Sequence, residues 1–394
     1  MMENKKTEPK IGIFSFFAGA GFLDLGFEKT KGFETLFVNE YHKPFMEMYK
    51  SSRKDLKIKE PLFGHSTDDI CDFLKPEKAQ LLSDNIVNAR QNFDLLGFIG
   101  GPPCPDFSVG GKNKGIKGEN GKLSDTYIEL IVKNQPDFFL FENVKGLYRT
   151  KKHKAFFDDV KLKLISNGYY LTEKLINAIE YGAPQDRERI ILIGFKRTVL
   201  TGFGMKLNGS PIIKSFDWNI KTTYDAKELF AKKWPQQETF CENSVKQAPK
   251  GINKKLTVQY WFDKNDVENH PNAKHYFQPR AGLPKFQSIQ EGDDLKKSYK
   301  RLHRWRYSPT AAYGNNEVHL HPFKARRISA AEALALQSLP KEFVLPEHIT
   351  LSNMFKTIGN GVPFLAAKGL AETIMSFIQK VKTQELQYEE VISE

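Results

Sequence analysis

A single cysteine stands in an unusually stiff part of the chain. Cys104 lies in the run GPPCPDFS at 101–108, directly after a short apolar run. Each proline fixes its own φ and restricts the residue before it, so three prolines beside one cysteine hold the thiol in place. A cysteine held in this way is a candidate nucleophile, active as its thiolate. The alternative is a buried loop cysteine, which would leave the rigidity of the loop unexplained.

Charged side chains adjoin two further apolar runs. Glu142 follows the run DFFLF, while Arg187 and Arg189 introduce the run RIILIGF. An acid beside a nucleophile suits proton transfer to a reacting ring. Two arginines two residues apart project to one side of an extended chain, where they could orient the glutamate or hold an anion. Structural ion pairs with Asp186 or Glu188 are the alternative.

A glycine-rich turn, FAGAG at 17–21, follows the first apolar run. Glycine permits close approach of the backbone to a ligand, and the helix predicted after the turn offers unpaired N–H groups. Glu40 ends the next predicted strand, where a carboxylate can bind ribose hydroxyls. These features leave NAD, FAD and S-adenosylmethionine (AdoMet) open, and a tight turn with a capping acid is the structural alternative.

Short apolar runs alternate with helical lengths through the first two hundred residues. The runs lie at 11–17, 35–39, 95–99, 137–141 and 189–195. This pattern predicts βαβ units and an α/β fold with a mostly parallel sheet covered on both faces. Apolar spacing predicts helices at about 22–29, 328–339 and 362–381. Cys104 and Glu142 would then meet at the carboxyl edge of the sheet, where doubly wound folds hold their ligands.

Composition limits the class of protein. A chain of 394 residues that is 40% hydrophobic and 27% charged is typical of a globular protein with two domains. No apolar run approaches the roughly 18 residues of a membrane span. Three cysteines and no signal-peptide pattern indicate a reducing, cytoplasmic compartment. The net charge of +12 suits a polyanionic partner, and no cluster of residues has metal-ligand spacing, so no metal is expected.

The character of the chain changes between about 197 and 325. Lysine-rich stretches interleave with aromatic residues there, and no strong helix is predicted. All four tryptophans fall in this part: Trp218, Trp234, Trp261 and Trp305. Aromatics that form the core of a loop-rich domain and aromatics on a polyanion-binding surface are both compatible with this pattern. The segment 109–122, rich in Gly and Lys, is either a solvated linker or a flap that closes on an anion.

Taken in order, these segments resemble the DNA cytosine-5 methyltransferase family. The matches are FxGxG at 17–21, the acid Glu40, Asp69-Ile70, Pro-Cys at 103–104, Glu-Asn-Val at 142–144, QxRxR at 185–189, RRISAAEALALQSLP at 326–340 and a closing Gly-Asn-Gly-Val-Pro at 359–363. Two positions depart from the family pattern: Pro105 replaces its usual Gln, and Ser15 replaces its usual acid. The resemblance covers everything except roughly 197–325, where the family carries its variable target-recognition region.

The resemblance implies an enzyme that transfers methyl from AdoMet to C5 of a cytosine flipped out of duplex DNA, through a covalent bond from Cys104 to C6. The implied catalytic residues are Cys104, Glu142, Arg187 and Arg189. The implied cofactor residues are Phe17, Ala18, Gly19, Gly21, Glu40, Asp69, Ile70 and Asn360. The expected domains are a catalytic domain, 1–197 with 326–394, and a target-recognition domain, 198–325. Because Phe17 and Asn360 would bind one cofactor, the closing segment must return to the first.

The resemblance also implies partners and leaves two rivals. Double-stranded DNA is the expected partner of a monomer in the bacterial cytoplasm associated with the nucleoid. A cognate restriction endonuclease is common for bacterial members of the family, but the sequence leaves its existence open. One rival is the branch of the family that acts on tRNA, which has a much reduced middle region. The other is a catalytically silent DNA-binding relative, although Cys104, Glu142 and Arg189 are all present. The recognition sequence depends on side-chain geometry that the sequence does not reveal.

Overall fold

The computed structural model describes residues 8–103, 119–148, 151–207, 209–279, 282–296, 298–311, 313 and 317–383. The strands are β1 Ile11–Phe16, β2 Phe33–Asn39, β3 His65–Ser66, β4 Leu95–Gly100, β5 Phe138–Val144, β6 Tyr169–Asn177 and β7 Glu188–Lys196. The helices are α1 Phe22–Glu28, α2 Lys43–Asp55, α3 Pro76–Ala89, α4 Glu119–Asn134, α5 Lys151–Ser166, α6 Arg197–Gly202, α7 Ala226–Ala231, α8 Val258–Lys264, α9 Leu283–Ser288, α10 Ala330–Leu336, α11 Leu351–Asn360 and α12 Phe364–Lys382. Cys104 and Pro105 lie outside the described residues.

The strands of the described residues form one sheet in the order β3-β2-β1-β4-β5-β7-β6. From β3 to β5 neighbouring strands are parallel, whereas β7 runs antiparallel to both β5 and β6. Each of the five predicted strands is present to within a few residues. The predicted α/β fold with a mostly parallel sheet is therefore confirmed, with β7 antiparallel to its neighbours and with β3 and β6 as additional strands.

Both faces of the sheet are buried. Ile13 and Phe14 are neighbours in β1, yet each belongs to the hydrophobic cluster on a different face. One cluster includes Phe27 of α1 and Leu370 of α12, and the other includes Leu130 of α4. A strand that is covered on both faces has apolar residues at consecutive positions. This is why continuous apolar runs in the sequence predicted these strands.

The closing segment packs against the first βα unit. A side chain at Gly26 in α1 would collide with the backbone of α12 at Ala367, so the two helices are in close contact. The Ala20 N–H donates to Thr357 Oγ1 of α11 at 3.2 Å. The expected return of the closing segment to the first is confirmed by these contacts.

The tryptophans of the middle region are mainly packing residues. Trp261 and Trp234 are 3% and 8% exposed and lie in hydrophobic clusters. Trp218 is half-buried, and its indole N–H donates to Thr172 Oγ1 at 2.8 Å. At least these three aromatics support the core interpretation rather than the surface one.

One helical stretch, 351–382, is long and apolar enough to cross a membrane by length and composition alone. It contains α11 and α12, and 67% of its apolar window is buried inside the protein. Leu370, Ile374 and Ile378 of α12 lie in the core on one face of the sheet. Buried core helices satisfy the same test, and this stretch packs as one.

Candidate active site

The sheet topology brings the predicted site residues to one edge. β1, β4 and β5 are adjacent and parallel, so the segments that follow them begin at the same edge. β7 starts at that edge because it is antiparallel to β5, with Arg189 opposite Val144. The strand order reverses between β1 and β4, which is where open α/β sheets hold their ligands. The glycine-rich turn, the loop after β4, Glu142 and Arg189 therefore converge.

A cavity of about 1660 Å³ opens at this edge. The predicted site residues in its wall are Phe17, Ala18, Gly19, Glu40, Asp69, Ile70, Glu142, Arg187, Arg189 and Asn360. Gly101, Pro102 and Pro103 also line it, and Pro103 is the last described residue before Cys104. The segments that the sequence assigned to one site thus share one cavity, although Cys104 itself lies outside the described residues.

Glu142 and Arg189 form an ion pair in the cavity wall. Arg189 Nε lies 2.8 Å from Glu142 Oε1, and Glu142 is 8% exposed. A Cβ placed on Gly101 would lie 2.5 Å from Glu142 Oε2, so the loop after β4 passes directly over the carboxylate. Burial raises the pKa of Glu142, and the positive charges of Arg189 and Arg187 oppose that rise. The sequence left open whether Arg189 orients Glu142, holds an anion or pairs with a neighbouring acid. In the structure its side chain contacts Glu142.

Arg187 holds backbone rather than an acid. Its guanidinium donates to the carbonyls of Ala311 and Gly359, both at 2.8 Å, and the residue is 1% exposed. Gln185 accepts from the Ala311 N–H at 3.0 Å, so the QxRxR segment binds both polar groups of that residue. Burial and the charge of Arg189 lower the pKa of Arg187. Arg187 ties the middle region and the closing segment to the site, and its predicted catalytic role stays a prediction.

Glu40 closes the glycine-rich turn. Its Oε2 accepts from the Gly19 N–H and its Oε1 from the His42 N–H, both at 2.8 Å. Burial raises the pKa of Glu40, and the two backbone hydrogen bonds oppose that rise. Further along the wall, Asp69 Oδ1 accepts from the Cys71 N–H at 2.9 Å, which starts a short helical turn with Ile70 buried beneath it. Glu40, Asp69 and Ile70 all line the cavity, and their binding of a cofactor stays a prediction.

Among the described residues of the glycine-rich turn, Gly21 does not line the cavity, whereas the others do. Its φ is +79°, and a Cβ there would lie 2.5 Å from the Arg53 guanidinium. Arg53 donates to the carbonyls of Gly21 at 2.6 Å and Ala20 at 3.1 Å. Glycine is needed at this position so that Arg53 can reach the turn from behind.

Sequence reasoning missed several residues of the wall. They are Asp24 of α1, Lys300, Tyr313 and His319 of the middle region, and Lys356 and Thr357 of α11. Helical spacing could have found the last two, since they precede Asn360 by one turn and share its face. No motif marks the residues of the middle region. Burial lowers the pKa of His319 to about 3, so this histidine is neutral.

The doubly wound sheet carries a glycine-rich turn, a carboxylate after its second strand and a buried acid–arginine pair at its switch point. This is a Rossmann-like α/β fold with a cavity at the edge where such folds hold their ligands. The sequence profile described as C-5 cytosine-specific DNA methylase matches residues 11–376. The chain belongs to this family, and it is an enzyme of the DNA (cytosine-5-)-methyltransferase type. The resemblance found in the sequence is confirmed.

Individual relatives agree with this assignment. The chain is 60% identical over 378 residues to the Type II methyltransferase M.NmeDI of Neisseria meningitidis serogroup C, covering 96% of this chain and 85% of that protein. It is 29% identical to the Type II methyltransferase M.FnuDI of Fusobacterium nucleatum, covering 92% and 94%. A solved structure of an E. coli prophage-encoded protein, described as a DNA modification methyltransferase, superposes with a TM-score of 0.61 at 21% identity and covers 94% of this chain and 99% of that one. At that identity the likeness is one of fold.

Proposed function

We propose that this protein transfers a methyl group from AdoMet to C5 of a cytosine flipped out of duplex DNA, through a covalent bond between Cys104 and C6. The observation that carries the proposal is the Glu142–Arg189 ion pair, which shares one cavity with the glycine-rich turn and with the loop that leads into Cys104. A buried acid cannot reach a base inside the stack, so the base must enter the cavity alone.

The residues of the cavity fit AdoMet. Its volume of about 1660 Å³ exceeds the roughly 300–1,000 Å³ of a pocket for one small molecule, so it has room for a cofactor and a base. Glu40 would bind the ribose hydroxyls, Asp69 and Ile70 the adenine, and Asn360 the methionine moiety. When bound, AdoMet supplies an electrophilic methyl group, and S-adenosylhomocysteine is the product.

The protein's own groups would carry the addition and elimination. The thiolate of Cys104 forms a bond to C6, and the electron pair of the C5–C6 double bond moves to C5, from which it is delocalised through C4 to N3. Glu142 supplies a proton or hydrogen bond at N3 and contacts the exocyclic amine, which stabilises that charge. C5 then gains the methyl group and loses its proton to a base, and the S–C6 bond breaks to restore the ring. Arg189 holds Glu142 in position throughout.

The middle region would read the DNA. We assign 198–325 as a target-recognition domain and 1–197 with 326–394 as the catalytic domain, because Lys300 and Tyr313 bring the middle region to the wall of the cavity. The basic character of the chain suits a phosphate backbone. Since the relatives above are Type II methyltransferases, we place the protein in a bacterial restriction–modification system, as a cytoplasmic monomer with a cognate endonuclease.

Transfer of labelled methyl from AdoMet to unmethylated duplex DNA of diverse sequence tests this function, with tRNA as a parallel substrate and nucleoside analysis of the products. We expect label in 5-methylcytosine of DNA. Label confined to tRNA would assign the protein to the RNA-acting branch. Cofactor binding without transfer to either nucleic acid would assign a silent binder.

Glu40→Ala should weaken cofactor binding by about 10-fold or more, because it removes the ribose partner and the acceptor of the Gly19 N–H. Calorimetry with S-adenosylhomocysteine measures the effect, and the rate at saturating AdoMet should fall much less. Glu34→Ala is the matched control, since Glu34 lies on β2, the strand that Glu40 follows, but pairs with the exposed Lys59. Equal affinity of the Glu40 variant and the wild type would remove Glu40 from the cofactor site.

A further inference from the structure

Lys356 is an exposed cation in the wall of the cavity. It lies on α11, one turn before Asn360, and both residues line the cavity. Residues four apart on a helix lie one above the other, so Lys356 and Asn360 share one face of α11. The Lys356 ammonium lies 5.9 Å from the centre of the Phe45 ring and forms no ion pair with the described part of the chain. Its N–H donors are therefore available to a ligand.

The surroundings of Phe45 show where the Lys356 ammonium lies in the cavity. Phe45 is in the first turn of α2, and the centre of its ring lies 4.3 Å from that of His42. The His42 N–H in turn donates to Glu40 Oε1 at 2.8 Å. Phe45, His42 and Glu40 all line the cavity. The backbone of Lys356 is thus next to Asn360, while its ammonium lies towards Glu40.

The charge of Lys356 acts on both polar neighbours. Burial raises the pKa of Glu40, whereas the hydrogen bonds from the His42 and Gly19 N–H groups and the charge of Lys356 lower it. Burial also lowers the pKa of His42, and Lys356 lowers it further. Both Glu40 oxygens already accept backbone N–H groups, and neither forms an ion pair with Lys356 within the described residues. Lys356 is therefore close to the residue assigned to the ribose without being paired with it.

The other basic side chains in the described wall of the cavity are engaged or lie on other elements. Arg189 forms the ion pair in the cavity wall, and Arg187 binds backbone carbonyls. Lys122 belongs to α4, and Lys300 belongs to the middle region. Lys356 is the one among these five that lies on the same helix as the residue assigned to the methionine moiety.

We propose that Lys356 binds the α-carboxylate of the methionine moiety of the cofactor. This inference rests on the proposed function, which places AdoMet in the cavity. The carboxylate is the one anionic group of AdoMet, and the wall already includes the acids Glu40, Asp69 and Glu142. A ligand carboxylate is repelled by such a wall unless a cation adjoins it. Lysine carries three N–H donors on a flexible stem, so its ammonium can form a charge-assisted hydrogen bond with the carboxylate.

The test combines Lys356→Met with two ligands that differ only in the carboxylate. Calorimetry without DNA would measure binding of S-adenosylhomocysteine and of its decarboxylated analogue, in which hydrogen replaces the carboxylate. We expect Lys356→Met to weaken S-adenosylhomocysteine by about 3- to 10-fold, as for a partly solvated ion pair, and to leave the analogue unchanged. Lys356→Arg keeps the charge and should restore most of the affinity. Methionine is a good helix former and position 356 is exposed, so the variant should fold.

Lys300→Met is the matched control, because it removes another lysine of the same wall but from the middle region. A loss of affinity through the general positive potential of the cavity would appear with both variants. A lysine that acts only through Glu40 would weaken both ligands alike, since both carry the ribose. Either pattern, or unchanged binding of S-adenosylhomocysteine, would contradict the proposal. If the wild-type protein binds neither ligand, the cofactor site itself is wrong, and the inference falls with it.

Steady-state methyl transfer at saturating DNA gives a second readout. A residue that binds the cofactor equally in the ground state and the transition state affects KM and leaves kcat nearly unchanged. We expect Lys356→Met to raise the KM for AdoMet by about the factor by which the affinity for S-adenosylhomocysteine falls. A variant that loses affinity for DNA alone would place Lys356 on the DNA-binding surface and overturn the proposal.

Discussion

Cys104→Ala is expected to reduce methyl transfer to background while S-adenosylhomocysteine binds with nearly the wild-type affinity. The proposed reaction requires a thiolate to add to C6, and alanine cannot add. Gly101, Pro102 and Pro103 line the cavity, and the backbone at Gly101 lies against Glu142. The residues that precede Cys104 therefore lie at the same edge of the sheet as Glu142. The cofactor residues belong to other segments, which is why binding should survive.

Single-turnover transfer of labelled methyl to duplex DNA measures this effect, with calorimetry on the same samples. Cys241→Ala is the control, because Cys241 is an exposed thiol in the middle region. A duplex with 5-fluorocytosine adds a direct readout: its C5 fluorine cannot leave as a proton, so the S–C6 bond should persist and the complex should survive denaturation. Turnover by the Cys104 variant, or no adduct with the wild type, would rule out the covalent mechanism.

The catalytic edge could be predicted because the strands that form it are buried on both faces. The apolar runs before the glycine-rich turn, before the Pro-Pro-Cys loop and before Glu142 became β1, β4 and β5, which are neighbours. Parallel strands place the residues after them at one edge, so strand positions alone were enough to group these segments.

To predict the contact between Glu142 and Arg189, the direction of β7 must be known. A run of apolar residues does not reveal the direction of its strand. In an antiparallel β7 the start of the strand lies beside the end of β5, so Arg189 reaches the acid. β6 was missed because Glu173 is exposed and interrupts an apolar pattern, as a strand at the side of a sheet permits. Spacing placed Arg187 beside Arg189, but only tertiary structure shows that it binds the Ala311 and Gly359 carbonyls.

Buried charge was the hardest feature to foresee. Asp24 and Arg53 look like surface residues of amphipathic helices, since charged residues are rarely buried unless paired. Their burial depends on α2 packing behind the glycine-rich turn, where Arg53 binds two carbonyls that Gly21 leaves accessible. The middle-region wall, with Lys300, Tyr313 and His319, was unpredictable for a different reason: it has no motif, and its position depends on long-range packing.

Glu142→Gln is expected to slow the chemical step by about 10²–10⁴-fold, the range typical of a general acid or base. Glutamine retains an oxygen that can accept from Arg189, so the fold and the cavity should be preserved. Single-turnover methyl transfer at saturating DNA and AdoMet isolates this step from binding and product release. Glu188→Gln is the control, because Glu188 is adjacent to Arg189 in sequence but pairs with Lys145 at the surface.

The pH dependence separates a proton donor from a merely structural acid. Burial raises the pKa of Glu142 against the opposing charges of Arg189 and Arg187, which favours the protonated form relative to an exposed glutamate. If that proton is delivered to N3, the rate falls as the pH rises through the Glu142 pKa, whereas ionisation of Cys104 gives a limb that rises with pH. Glutamine does not titrate, so Glu142→Gln should lose the falling limb and keep the rising one. A variant that keeps both limbs, or reacts at the wild-type rate, would mean that Glu142 only shapes the cavity.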